Sequence, residues 1–423
     1  MGLKNTSRRL LCAALAAVWC LGAQAQTPPG GDVASLLAFA RENNPDFAGM
    51  RHEAAAAAER IAPAGALPDP RLRTELMDIT RSGAQDASLL PGRVGSTRYT
   101  LMQELPWFGK RSLKREIAEL EAESARGRAY GTWNEVAAKI KTTYAQLYYV
   151  AENEKLSREI LALMLRLEQI AQVRYAGGLA AQQDVIRAQL EQTAMRNELI
   201  GIETEHHHLM VRMNALLGRP ADAPLAMPAS LRPLPDPARL DYAALEERAR
   251  TRNPLLSAEE RRIQAAEKGR ELAYKNRYPD FTAGVAPNQM RNEVRQWDLM
   301  LEINIPLQQA SRRAQEREAE AMVSASRARR DAAANQLLAE LLTNLSELEA
   351  ARRSEKLAAG SLLPQAELGF KAALAGYETG KVDFAALLDA QRQIRLARLN
   401  QIKSRAEAQV RLAEIERILG EDL

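Results

Sequence analysis

The sequence is nearly without cysteine: of 423 residues only Cys12 and Cys20 carry a thiol. Both stand near the start, so disulfide and thiolate chemistry are excluded from everything that follows them. Aromatic residues make up only 5% of the chain, and no apolar run reaches the roughly 20 residues that a membrane-spanning helix needs. Catalytic signatures are missing too. There is no Ser-His-Asp arrangement and no spaced Cys/His set, and Gly177-Gly178 lacks the Lys-Ser/Thr pair of a phosphate loop. The expectation is a protein that is not an enzyme and holds neither cofactor nor resident metal. Charge of one sign is also lacking. The net formal charge of +4, from 58 basic against 54 acidic residues, gives nucleic-acid binding no electrostatic support.

What the chain does have is 46% hydrophobic and 26% charged residues, with Ala, Leu, Arg, Glu and Gln throughout. That is the composition of long helices packed side by side. Residues 1–25 read as an export signal. Lys4, Arg8 and Arg9 form its basic start, Leu10 to Leu21 its apolar stretch, and Ala23-Gln24-Ala25 its cleavage site, so that the mature chain begins at Gln26. Cys20 is an alternative lipid-attachment site, although Trp19 is bulky where such sites take a small residue.

Landmarks recur in order along the chain. Asn44-Pro45 returns as Asn253-Pro254, each after a short helical stretch (33–43 and 241–252). Leu67-Pro68-Asp69 is echoed by Tyr278-Pro279-Asp280, Leu105-Pro106 by Ile305-Pro306, Tyr175-Ala176-Gly177-Gly178 by Tyr377-Glu378-Thr379-Gly380, and Leu217-Gly218 by Leu419-Gly420. Two repeats are expected, 26–220 and 238–423, each a short helix, a β-hairpin and a long helical hairpin. The segment 221–237 between them reads as a proline-rich linker, since Arg219 to Pro237 holds six prolines.

Period-two patterning marks four strands. Phe281, Ala283 and Val285 alternate with polar or small neighbours, as do Trp297, Leu299, Leu301, Ile303 and Ile305 with Asp298, Glu302 and Asn304. The first repeat repeats the pattern with Leu72, Thr74 and Leu76, then Tyr99, Leu101 and Leu105. Stretches of about nine residues approach the length of tilted transmembrane strands. Trp297, Leu299, Leu301 and Ile303 are therefore expected to face lipid. Pro106 to Pro220 contains no internal proline, and Leu156, Ile160, Leu163, Leu167 and Ile170 step by 4, 3, 4, 3. Helices are expected over 108–175, 183–217, 308–377 and 384–419, with a kink near Gly360 and Pro364. In lipid only helices and closed barrels satisfy their backbone groups. Four strands close no barrel, so membranous strands require several copies to pool them.

Over essentially the whole mature chain the sequence resembles the TolC-like outer-membrane efflux family. The resemblance rests on the paired Asn-Pro, on Pro68-Asp69-Pro70, on Gln103-Glu104-Leu105-Pro106-Trp107-Phe108-Gly109-Lys110-Arg111, and on the two Tyr-x-x-Gly turns. Pro-Asp-Pro with Pro-Trp-x-Gly-Lys-Arg looks most like its heavy-metal (CzcC- and CusC-like) branch. The resemblance implies a mainly α fold with a small β part. Long helical hairpins would form a periplasmic α-barrel, and four transmembrane strands per protomer would make a twelve-stranded barrel in a homotrimer. It also implies outer-membrane lipid around the barrel, a periplasmic adaptor of the membrane-fusion type and an inner-membrane pump of the RND type as partners. Gly178, Leu179, Gly380, Lys381 and Val382 fall where the family's hairpin tips dock with the adaptor, although Gly177 replaces the valine usual there. Asp184, Tyr377 and Asp389 fall at the family's entrance gate, with Ala386 where a second aspartate is usual. Export of heavy-metal cations is the expected function; multidrug efflux, type I secretion and a non-pore periplasmic adaptor or coiled-coil protein are the alternatives. His206-His207-His208 invites a metal reading, but consecutive helical residues point about 100° apart and do not converge on one ion.

Overall fold

The computed structural model describes residues 30–80, 87–291 and 293–423. The export signal, with Cys12 and Cys20, lies outside them.

Asp32 starts the first helix, α1 (Val33–Asn43), by accepting the Ser35 N–H at 2.8 Å. The following proline does more than punctuate. Its fixed φ suits the first turn of a helix, and new helices begin at once: α2 (Pro45–Glu59), then the short α3 (Ile61–Gly65). The second half repeats this with α6 (Tyr242–Arg252) and α7 (Pro254–Lys275). The asparagines before the two prolines are buried for a reason. Asn253 Oδ1 accepts the N–H groups of Leu255 and Leu256 at 2.9 and 3.0 Å, while its Nδ2 donates to the Ile418 carbonyl at 2.8 Å. Asn44 Nδ2 makes the matching bond to Leu216 O at 2.8 Å. Each asparagine thus satisfies an orphan carbonyl at the end of a long returning helix.

The strands are β1 (Arg71–Met77), β2 (Ser96–Leu105), β3 (Phe281–Met290) and β4 (Glu293–Ile303). They form one antiparallel sheet in the order β1-β2-β3-β4, so the two hairpins join through the β2–β3 pair. β3 runs five residues past the alternation read from sequence, carrying Pro287 opposite Trp297 and a register irregularity at Asn288/Gln289. Ile305 and Asn304 lie beyond β4, and the Asn304 N–H donates instead to Asp280 O at 3.0 Å.

The long helices are α4 (Lys110–Ala176), α5 (Gln182–Leu216), α8 (Gln309–Leu357), α9 (Leu363–Glu378) and α10 (Phe384–Leu419). Where a kink was expected the helix forms a π-turn over Ala358–Leu362, and the Leu363 N–H reaches back to Ala358 O. Pro364 just after it has no N–H to give, and the widened turn absorbs that loss. Between Leu216 and Pro237 the chain has neither helix nor strand.

Contacts divide the chain into two units, and each draws on both halves of the sequence. Of the described residues, one comprises those up to Asn44, Ala137–Leu234 and Glu347–Ala413; the other those within Pro45–Val136, Pro235–Ser346 and Glu414–Leu423. In the first, Leu156, Ile160, Met164, Leu167 and Ala171 of α4 are buried against Ala188 and Met195 of α5, Tyr377 of α9 and Phe384 of α10. Leu163 and Ile170, which the 4-3 spacing placed in the seam, are only partly buried. A helix that packs against several neighbours needs a stripe wider than a two-helix seam. The second unit holds the sheet. Its helix contacts rest on small residues, Ala54 against Ala125 and Ala129, with Phe47 and Trp133 ring centroids 5.2 Å apart.

Candidate functional site

The register of the sheet lines up one apolar row. Leu72 stands opposite Leu101, Leu101 opposite Val285, and Val285 opposite Leu299. Beside that row, Trp297 faces Pro287, Leu301 faces Ala283, and Ile303 faces Phe281, which in turn faces Leu105. Phe281, Ala283 and Pro287 are half-buried and the others are exposed; Leu299 retains 83% of its surface. The four residues expected to face lipid therefore share one unburied face. A continuous apolar patch of this kind is unfavourable in water and marks contact with a membrane or partner. The opposite face carries methionines at Met102 and Met300 beside Gly284, and a linked polar group. Arg98 donates to Asn288 Oδ1 at 2.9 Å and to Asp298 at 3.1 Å, and Asn288 Nδ2 donates to Asp298 at 2.6 Å. The outer edges of β1 and β4 pair with no strand among the described residues.

Where β2 passes into α4, Trp107 stacks on Tyr278 at 5.1 Å and on Phe281 at 5.7 Å. Asp280 locks this junction, accepting the Trp107 N–H at 2.7 Å and the Lys110 ammonium at 2.8 Å. Gly109 has φ +82°, and a Cβ there would lie 2.2 Å from Lys275 Nζ. The Pro-Trp-Phe-Gly-Lys run is thus a built corner between strand and helix.

The two helical hairpins end in matching turns. Leu179 N–H reaches Arg174 O and Lys381 N–H reaches Gly376 O, each at 2.8 Å, with Gly178 at φ +70° and Gly380 at φ +76°. This is the Schellman closure, which needs a left-handed residue and so selects glycine. Leu179 and Lys381 are exposed, and Val382 is half-buried. Two of the three expected gate residues meet: the Tyr377 hydroxyl donates to Asp184 Oδ2 at 3.4 Å, joining the two hairpins of one chain. Burial pushes the Tyr377 phenol above its ordinary value, and the nearby Asp184 carboxylate pushes the same way. Its proton is therefore held and available to donate. Asp389 joins neither; it is exposed on α10. Asp383 accepts the Ala386 N–H at 2.8 Å and caps that helix.

Sequence reasoning missed Arg174. Its guanidinium lies 4.9 Å over the Tyr377 ring, and it donates to Glu378 O at 2.6 Å and to Leu179 O at 3.2 Å, tying one turn to the other. The repeat hid it, because the equivalent position in the second half is Gly376, where a Cβ would strike Val382 at 2.4 Å. Below the turns, Glu168 accepts the amides of Gln189 and Gln192 at 2.8 and 2.6 Å, and these hold its carboxyl below the usual range. His206 Nε2 contacts Met227 Sδ at 3.1 Å, while His207 and His208 are exposed. Among the described residues no three His, Cys, Asp or Glu side chains gather as a metal site.

An open-edged sheet with one apolar face, feeding long helical hairpins, is the architecture of a membrane channel protein. Residues 36–219 and 245–421 match the family described as outer membrane efflux protein, and the chain belongs to that family. It is an efflux channel protein of the outer membrane, not an enzyme. Among relatives, it is 25% identical over 389 residues to the cobalt-zinc-cadmium resistance protein CzcC of Cupriavidus metallidurans, covering 91% of this chain and 89% of that protein. Its fold is similar to the outer membrane protein VceC of Vibrio cholerae, with TM-score 0.79 and 18% identity over 94% of this chain and 100% of that one. It is also similar to CusC, with TM-score 0.79 and 18% identity over 94% and 96% of the two chains.

Proposed function

We propose that the chain is the exit duct of a tripartite efflux system that exports heavy-metal cations. Three copies pool their sheets into one twelve-stranded barrel, and the two repeats of each chain, 26–220 and 238–423, contribute one β-hairpin and one helical hairpin apiece. The observation that carries this reading is the sheet itself, whose apolar row Leu72–Leu101–Val285–Leu299 ends at two edges that pair with no strand among the described residues. In lipid an open edge leaves backbone groups unsatisfied at several kcal/mol each. Trp297, Leu299, Leu301 and Ile303 then meet lipid, and the Arg98–Asn288–Asp298 network lines the lumen.

The cargo rests on the relative named for cobalt, zinc and cadmium resistance. Without a nucleotide site or catalytic group, transport draws its energy from an RND-type pump, reached through a periplasmic adaptor docked at Gly178, Leu179, Gly380, Lys381 and Val382. Asp184 and Tyr377 keep the entrance closed, and Asp389 places a ring of carboxylates around it.

Deleting the gene from its host should raise sensitivity to cobalt, zinc and cadmium, and the intact gene should restore resistance. Unchanged metal tolerance with new sensitivity to drugs would transfer the duct to multidrug efflux. Docking is best tested with Leu179→Asp, since any side chain at Gly178 or Gly380 strains the turn as well as the partner surface. That variant should form normal trimers yet fail to complement.

A further inference from the structure

The apolar sheet face does not stop at the last strand residue. It continues into a groove of about 810 Å³ at the end from which the helices leave, lined by Leu67, Leu105, Trp107, Phe108, Phe281 and Leu301. Two guanidinium groups stand in its wall, Arg111 and Arg115 on the first turns of α4. Arg111 is braced, donating through Nε and Nη2 to Gly65 O at 3.0 and 2.8 Å. Arg115 pairs with Glu119 at 2.9 Å on the exposed surface, where such pairs are weak and readily exchanged. Phe108 next to them is 82% exposed although it is fully apolar. Apolar walls below, aromatic rings at the rim and guanidinium groups above match a diacyl phospholipid, whose chains are apolar and whose phosphate accepts hydrogen bonds from arginine.

We infer that this groove is a binding site for an anionic phospholipid of the periplasmic leaflet, with acyl chain along Leu105, Phe281 and Leu301 and headgroup phosphate on Arg115. The inference rests on the proposed lipid contact of the same sheet face. It goes further in claiming selectivity for negative charge at one place. Such a lipid would fix the depth of the strand–helix corner in the membrane, because the braced corner at Asp280 and Lys110 moves with α4.

The exported chain, with the expected signal and its Trp19 removed, keeps Trp107 as its single fluorophore when it carries Trp133→Phe and Trp297→Phe. It is reconstituted in vesicles of phosphatidylcholine carrying brominated phosphatidylglycerol or brominated phosphatidylcholine at equal mole fraction. Brominated phosphatidylglycerol should quench Trp107 more strongly, and Arg115→Gln should lower its relative association about fivefold, the effect of one basic residue near a lipid surface. Arg126→Gln, an exposed arginine further along α4, should leave the preference unchanged. Equal quenching by both lipids overturns the inference while leaving the membrane face intact; quenching by neither removes the membrane face itself. An equal loss in the Arg115 and Arg126 variants overturns it in favour of a diffuse charge effect. Native mass spectrometry of the chain with all its tryptophans gives the second reading: phosphatidylglycerol retained by the wild type and lost in Arg115→Gln supports the site, and equal retention refutes it.

Discussion

At the scale of single residues, the hairpin turns show how few groups hold two long helical hairpins together. Arg174 supplies three interactions from one side chain: a bond to Leu179 O in its own turn, one to Glu378 O in the other, and its stacking over Tyr377. The Tyr377–Asp184 bond at 3.4 Å is long for a hydroxyl donor, so its net worth is about 1 kcal/mol or less. If this cluster keeps the entrance shut, Asp184→Ala with Tyr377→Phe should raise single-channel conductance in planar bilayers, and Arg174→Ala should raise it further. Equal conductance in all three would reduce the cluster to ordinary hairpin packing. The pH dependence follows from the raised phenol. The folded-state value lies above that of the unfolded chain, so the contribution is complete below the ordinary tyrosine value near 10 and is lost only as pH rises past it. Conductance of the resting channel should therefore not respond to this tyrosine between about pH 6 and 9.

At the scale of elements, the strands make the sharper test. Leu299 lies at the middle of the apolar row opposite Val285, and Leu299→Arg should destabilise insertion by roughly 2–4 kcal/mol if it sits near the bilayer midplane. Gln296→Arg, paired with Asn288 on the polar face, should be tolerated. Equal yields of heat-stable oligomer from both variants would reverse the assignment of faces. These faces were readable because a half-buried strand alternates with period two, and β4 does so from Trp297 to Ile303 with one exception, Met300 at a polar-face position. The last residues of β3 were not readable: Pro287 cannot donate to a ladder and argues against a strand, yet the strand continues through it to Met290. Helix ends were legible to within a residue or two where proline or glycine marks them, as at Lys110 and Phe384. α2 and α7 were overlooked because Asn-Pro reads as a stop. Nothing local discloses that Asn44 and Asn253 reach carbonyls on helices far along the chain. The gate followed the same division. The glycines at 178 and 380 are dictated by local backbone geometry, whereas the role of Arg174 depends on a contact 204 residues distant.

At the scale of the whole molecule, the open edges of β1 and β4 are where the proposed trimer is tested. A sheet of four strands cannot close, so in a homotrimer the outer edge of β4 in one protomer must pair with the outer edge of β1 in the next. Both cysteines of the sequence lie at positions 12 and 20, inside the expected export signal, so introduced cysteines report without background. Thr74→Cys on β1, combined in turn with cysteine at Arg295, Trp297 or Leu299 on β4, should yield a disulfide-linked ladder ending at trimer on non-reducing gels. Opposed side chains in adjacent strands stand about 4.5–5.5 Å apart at Cβ, so one of the three partners should cross-link far more efficiently than the others and thereby set the register between protomers. Dimer without trimer, or a ladder running past trimer, would contradict a closed ring of three. The same assembly predicts a threefold ring of carboxylates at Asp389, which is exposed and uncommitted to the Tyr377 cluster. Asp389→Asn should lower the preference of the channel for cations without altering oligomer state, because it removes only charge from the mouth. An unchanged reversal potential in a salt gradient would place Asp389 outside the conducting path even if the cross-linked trimer forms.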